Sequence, residues 1–169
     1  GVDFIVELAR HRPDLGFEIV GAAKDELGFG DRDLPGNLKI VSKIPAAQVP
    51  ARLKTYDVLL APYDRSVTSA GGQETGRWMS PLKIFEYMAA CRPMIASDLP
   101  VLREVLDDGE NSLLRESGNV QAWSEGLDLL LARPDLAEQV ANKGRDDLVN
   151  SYSWEARAKS IVEFIERIS

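Results

Sequence analysis

Sulfur and imidazole chemistry are almost absent from this sequence: one cysteine and one histidine occur among 169 residues. Cys91 has no second cysteine to pair with, and its apolar neighbourhood predicts a buried free thiol. His11 sits at a helix end beside Arg12 and Pro13, which reads as exposed surface rather than a catalytic base. The acid pairs Asp107 with Asp108 and Asp146 with Asp147 have no His or Cys beside them, and adjacent helical residues diverge, so they read as solvated charge and no metal is expected. No apolar run approaches the ~18 residues of a membrane span, and the first residues lack the charged-then-apolar pattern of a leader. The cytoplasm is therefore the expected compartment. Positive charge is scarce too: 20 Lys and Arg against 27 Asp and Glu give a formal charge of -7. That disfavours a general nucleic-acid binder, whose affinity comes from clustered cations, and any anionic ligand must be held locally.

What is present is an ordinary globular composition, 44% apolar and 28% charged, in a length suited to one domain over residues 1–169. Periodicity predicts a helix over 2–12, stopped by Pro13, then strands over 17–22 (FEIVGA) and 38–44 (LKIVSKI) around a glycine- and proline-containing loop. A helix over 46–56 leads into 57–62 (DVLLAP), a run apolar enough for a parallel strand covered on both faces. Residues 63–79 (YDRSVTSAGGQETGRWM) carry no period and read as a long loop over a functional edge. Helix 80–91, strand 93–97, a short helix near 101–106, a small strand over 112–115 and three helices over 120–132, 134–150 and 154–168 follow. Strands alternating with helices imply a Rossmann-like, three-layer α/β domain with a parallel sheet, whose ligands lie beyond the carboxyl ends of the strands. The candidate rim is then the loops after Ile44, Pro62 and Ser97. The chain opens inside a helix, whereas such a sheet opens with a strand and a phosphate-facing loop, so a first strand is expected upstream of Gly1.

The segment richest in chemistry is SPLKIFE, residues 80–86. Ser80 suits an N-cap and Pro81 a first helical position, leaving the amides of Leu82 and Lys83 without intrahelical partners. Such a helix end attracts a diphosphate even on an acidic protein, and Lys83 adds a full charge. Glu86 lies one turn further along, where a carboxylate suits a ribose diol. Taken as isolated residues, Lys83 and Glu86 read better as a solvated surface pair than as a ligand site.

Residues 80–105 (SPLKIFEYMAACRPMIASDLPVLREV) resemble the signature region of group 1, or family 4, retaining glycosyltransferases of the GT-B fold. The likeness extends to Gly1 through Asp3, to the strand-helix-strand of 38–62 and to Trp154 in the closing helix. The resemblance implies the C-terminal, donor-binding half of a two-domain enzyme, with a nucleoside-diphosphate sugar as substrate, a saccharide or lipid-linked acceptor, and an N-terminal acceptor domain elsewhere in the same polypeptide. Peripheral membrane association of such a parent is compatible with it, and no cofactor or metal is expected. Residue by residue, Glu86 matches the second glutamate of the E-x7-E motif, which grips the donor ribose. Ser80, Leu82 and Lys83 match the stretch facing the donor phosphates, and Ser42, Lys43 and Ile44 match the strand end beside the base. The first motif glutamate falls at Trp78, a departure from the pattern, with Glu74 nearby as a weaker substitute.

Arg65, Arg77 and Arg92 flank these loops and suit phosphate or sugar oxygens, Arg77 best, although structural ion pairs use arginine as readily. Trp78 suits stacking on a sugar or plugging the loop against the core. Leu127, Leu130, Leu131, Trp154, Ile161, Phe164 and Ile165 recur at helical spacing and are expected in core or inter-domain packing. Two alternatives to transfer remain open from the residues. One is a GT-B-like sugar-nucleotide epimerase, for which no acid-base pair stands out; the other is a non-catalytic nucleotide-sugar sensor or interaction module, which Trp78 would suit.

Overall fold

The computed structural model describes residues 1–64 and 82–168 of the chain. Among them the order is helix α1 (Val2–His11), strands β1 (Phe17–Val20) and β2 (Leu38–Val41), a 3-10 turn at Ala46–Gln48, helix α2 (Val49–Leu53), strand β3 (Leu59–Ala61) and helix α3 (Leu82–Ala90). Strands β4 (Met94–Ser97) and β5 (Leu113–Arg115) precede helices α4 (Val120–Ala132), α5 (Pro134–Asp147) and α6 (Trp154–Ile168), with a π-helical turn at Leu148–Tyr152. Every strand pairing is parallel: β1 with β2, and β3 with β4 with β5. These form two separately hydrogen-bonded sheets among the described residues.

Period-two alternation sends neighbouring strand residues to opposite helical layers. Ile95 and Leu113 pack into the core that contains Phe4, Ile5 and Leu8 of α1 and Trp123, Leu127 and Leu130 of α4. Met94, Ala96 and Leu114, one position away, pack instead with Leu59, Ala61 and the α3 residues Ile84 and Met88. Both faces are thus covered, which is why β3 and β4 read as continuous apolar runs rather than alternating ones. The α1 core also takes in Phe17 and Leu38, so one helical layer spans both sheets. Trp123, fully buried, meets Phe4 edge-on at 5.0 Å and donates its Nε1 hydrogen to the Glu116 carbonyl at 3.1 Å.

Two side chains fix the position of α1. The two hydrogens of Asn37 Nδ2 are shared among the carbonyls of Ala9, Arg12 and Leu15, which lie at 3.0, 2.9 and 2.7 Å, tying the end of α1 to the loop after it. Arg12 pairs with Asp14 and, at 2.7 Å, with Asp128 of α4. At its other end α1 starts against the residue after β3: a Cβ built on Gly1 would lie 2.1 Å from the Pro62 carbonyl oxygen, so only glycine fits there.

Some expectations need correction. The segment near 101–106 is a series of hydrogen-bonded turns, Leu102 and Arg103 to the Leu99 carbonyl and Leu106 to that of Leu102, and not a helix. It still buries Leu102 and Leu106 as a helix would. Cys91 is only half-buried, and its φ of 53° places it in the left-handed region just after α3, where glycine is the favoured residue. Of the residues expected in core or inter-domain packing, Leu127 and Leu130 enter the core, whereas Leu131, Trp154, Ile161, Phe164 and Ile165 are outside it and exposed, Trp154 at 87%.

Candidate functional site

The carboxyl ends of β3, β4 and β5 converge on one residue. Tyr63, just beyond β3, donates its amide hydrogen to Ser97 Oγ at 2.8 Å. Its carbonyl accepts from Ser97 Oγ at 2.8 Å and from Ser117 Oγ at 2.7 Å. Ser97 is the last residue of β4 and is 1% exposed; Ser117 follows β5. A buried hydroxyl is costly unless bonded, and that of Ser97, with the half-buried Ser117, is used to hold the backbone that leaves β3.

Helix α3 opens beside this latch. Lys83, exposed on its first turn, places Nζ 5.7 Å from the centroid of the Tyr63 ring. Among the described residues no carboxylate lies within ion-pair distance of that ammonium. Leu82 is 68% exposed. Glu86 is exposed one turn later on the same helix, while Ile84 and Met88 point into the core and anchor α3 against β3 and β4. Burial raises the phenols of Tyr63 and Tyr87 above their ordinary range, so both rings are neutral at physiological pH.

Ser42, Lys43 and Ile44 lie just beyond β2. Ser42 and Ile44 line a groove of about 800 Å³ with Gln48, Ala51 and Thr55 around α2. Ser42 to Ile44 follow β2 and α3 follows β3, so the two halves of the expected site are on the carboxyl sides of different sheets. Ser80, Arg77 and Trp78 lie outside the described residues, as do Glu74 and Arg65. Arg92 donates to the Lys54 carbonyl ahead of β4, away from the candidate rim. A second cavity, about 580 Å³, opens at the amino ends of β1 and β2; its Glu18 is already engaged by Arg52 and Tyr56. Among the described residues no group of three or more His, Cys, Asp or Glu could hold a metal ion, and no helix is long and apolar enough to cross a membrane.

Tyr63, Ser97 and Ser117 were not among the candidates drawn from sequence. Ser97 carried a weak signal, a hydroxyl closing an otherwise apolar strand at its carboxyl end. Nothing in the spacing linked it to Tyr63.

A layered parallel α/β domain whose polar groups gather where helix α3 opens, beyond the carboxyl ends of its strands, belongs to the Rossmann-like class. The family described as glycosyl transferase-like matches residues 3–163, and the chain belongs to it. The chain is 29% identical over 157 residues to a phosphatidyl-myo-inositol mannosyltransferase of Mycobacterium leprae, covering 92% of this chain and 39% of that one. It thus spans about two-fifths of that relative's length. Among solved structures, the C-terminal domain of a group 1 glycosyl transferase from Francisella tularensis superposes with a TM-score of 0.67 at 20% identity, over 91% of this chain and 80% of that one. A sucrose-phosphate synthase from Thermosynechococcus elongatus gives 0.76 at 20% identity, over 99% and 42%. Anabaena HepE in complex with UDP-glucose gives 0.69 at 16% identity, over 99% and 45%. The fold is that of a C-terminal GT-B glycosyltransferase domain.

Proposed function

We propose that this chain binds the nucleoside-diphosphate-sugar donor for a glycosyltransferase that moves a hexosyl unit to a saccharide or lipid-linked acceptor with retention at the anomeric carbon. The observation that carries the reading is the start of α3, where exposed Leu82 and Lys83 open the helix, Lys83 beside Tyr63 after β3, with Glu86 exposed one turn later. In this reading the Leu82 and Lys83 amides and the Lys83 ammonium receive the diphosphate, and Glu86 accepts hydrogen bonds from the ribose diol. Ser42, Lys43 and Ile44 flank the base, with Ser80, Arg77 and Trp78 contributing from outside the described residues. Rate would come from stabilising the departing diphosphate, with no metal required. The likeness to HepE, solved with UDP-glucose, supports a sugar nucleotide as donor.

The same reading assigns the acceptor to a further domain of the polypeptide. Support comes from α6, whose Trp154, Ile161, Val162, Phe164 and Ile165 are each at least half exposed. An apolar face of that extent usually marks a contact surface. The cytoplasm, with peripheral attachment to a membrane, is the compartment that suits such an enzyme.

Calorimetric titration with UDP, GDP and ADP tests the proposal. One diphosphate is expected to bind, with the heat lost in Glu86→Ala; equal binding by the variant would remove Glu86 from the site. Trp78 at the position of the first motif glutamate favours a second reading, a non-catalytic sensor of sugar nucleotides. Turnover of the donor by the full-length protein would exclude it.

A further inference from the structure

The ring of Tyr63 is held through its backbone. The Tyr63 amide donates to Ser97 and its carbonyl accepts from Ser97 and Ser117, so the two serines fix the backbone and leave the phenolic hydroxyl aside. The phenol is neutral, so what the ring offers Lys83 is its negative face rather than a phenolate. At 5.7 Å from the centroid, the ammonium is within the ~6 Å range of a cation–π contact. A carboxylate partner would compensate the charge of Lys83 and compete with a phosphate for it. A ring face attracts the ammonium while leaving its charge uncompensated for an incoming anion.

We propose that Tyr63 is a positioning residue: it stations Lys83, which has no carboxylate partner among the described residues, at the opening of α3 as a cation for the donor's diphosphate. The proposal rests on the donor-binding reading and adds to it the residue that places the phosphate-directed charge. It also gives the buried Ser97 a purpose, since the hydroxyl fixes the ring only by fixing the backbone beneath it.

The test measures, in the full-length protein, the Kd of whichever of UDP, GDP and ADP binds tightest, and of the matching nucleoside. The variants are Tyr63→Phe, Tyr63→Leu, Lys83→Met and the Tyr63→Leu, Lys83→Met double. Tyr63→Phe keeps the ring face and is expected to bind within twofold of the parent. Tyr63→Leu is expected to weaken the diphosphate about two- to fivefold, to leave the nucleoside unchanged, and to have no effect once Lys83 is methionine. Should Tyr63→Leu fail to fold, pentafluorophenylalanine at position 63 keeps the ring shape while reversing its charge distribution, and is expected to weaken the diphosphate relative to Tyr63→Phe. Equal loss with and without Lys83, an equal loss for the nucleoside, or no loss from either substitution would overturn the proposal while leaving donor binding intact. If the parent protein binds none of the three diphosphates, the donor reading fails and the proposal falls with it.

Discussion

The hydroxyl of Ser97 both donates to the carbonyl and accepts from the amide of Tyr63, each at 2.8 Å, so the end of β4 holds the residue that leaves β3. Ser97→Ala removes both bonds and leaves the Tyr63 amide without that partner. An unmet buried group costs about 1–3 kcal/mol, and chemical denaturation is expected to report a loss in that range. Ser117→Ala should cost less, because the Tyr63 carbonyl keeps its bond from Ser97.

Cys91 takes a left-handed conformation, φ 53°, directly after the last residue of α3. A side chain there opposes the backbone by about 1–2 kcal/mol relative to glycine. Its Sγ lies 3.3 Å from Asn142 Oδ1, a weak contact that offsets little of this. Cys91→Gly is therefore expected to raise stability by roughly 0.5–1 kcal/mol, seen as a higher denaturation midpoint, whereas β-branched Cys91→Val should lower it.

The single Asn37 side chain serves three carbonyls at the end of α1 and in the loop after it. Asn37→Ala removes the side-chain donor, while the Arg12 carbonyl keeps its bond from the Leu15 amide, and a loss of about 1–3 kcal/mol is expected by thermal or urea unfolding. Trp123→Ala should be costlier, about 3–5 kcal/mol, because a fully buried indole in contact with Phe4 is replaced by a cavity.

Acid should weaken the fold through Glu18. Burial pushes its carboxyl upward, but hydrogen bonds from Arg52 and Tyr56 and the charges of Arg52 and Lys39 outweigh that, and it lies below the usual glutamate range. A carboxyl depressed by folding stabilises the native state above its unfolded value, about pH 4, and that contribution is lost as pH falls through the folded value. Asp98, held down by Arg103, acts in the same direction. Stability measured from pH 6 to pH 2 should therefore decline below about pH 4, and Glu18→Gln should be less stable at neutral pH with a shallower acid limb.

Much of the layering was legible from sequence, because α1 repeats its apolar residues at helical spacing and strands buried on both faces must be apolar throughout. Strand ends were not: 17–22 and 38–44 stop pairing at Val20 and Val41, since register with a partner, not composition, ends a strand. Residues 101–106 have the spacing to bury Leu102 and Leu106, yet successive turns do this as well as a helix over so few residues. In α6 the apolar stripe was visible, but periodicity does not say what covers it. The Lys83 and Glu86 spacing pointed to the first turn of α3, whereas the Tyr63 latch joins residues 34 and 54 positions apart, beyond any local pattern.

Whether the first turn of α3 receives the donor's diphosphate can be read from amide hydrogen exchange with and without the bound nucleoside diphosphate. Exchange is expected to slow across residues 82–86, by tenfold or more at saturation, with residues 16–18 and 36–39 around the opposite cavity unchanged. Protection confined to that cavity, or none at 82–86 while calorimetry reports binding, would contradict diphosphate binding at α3.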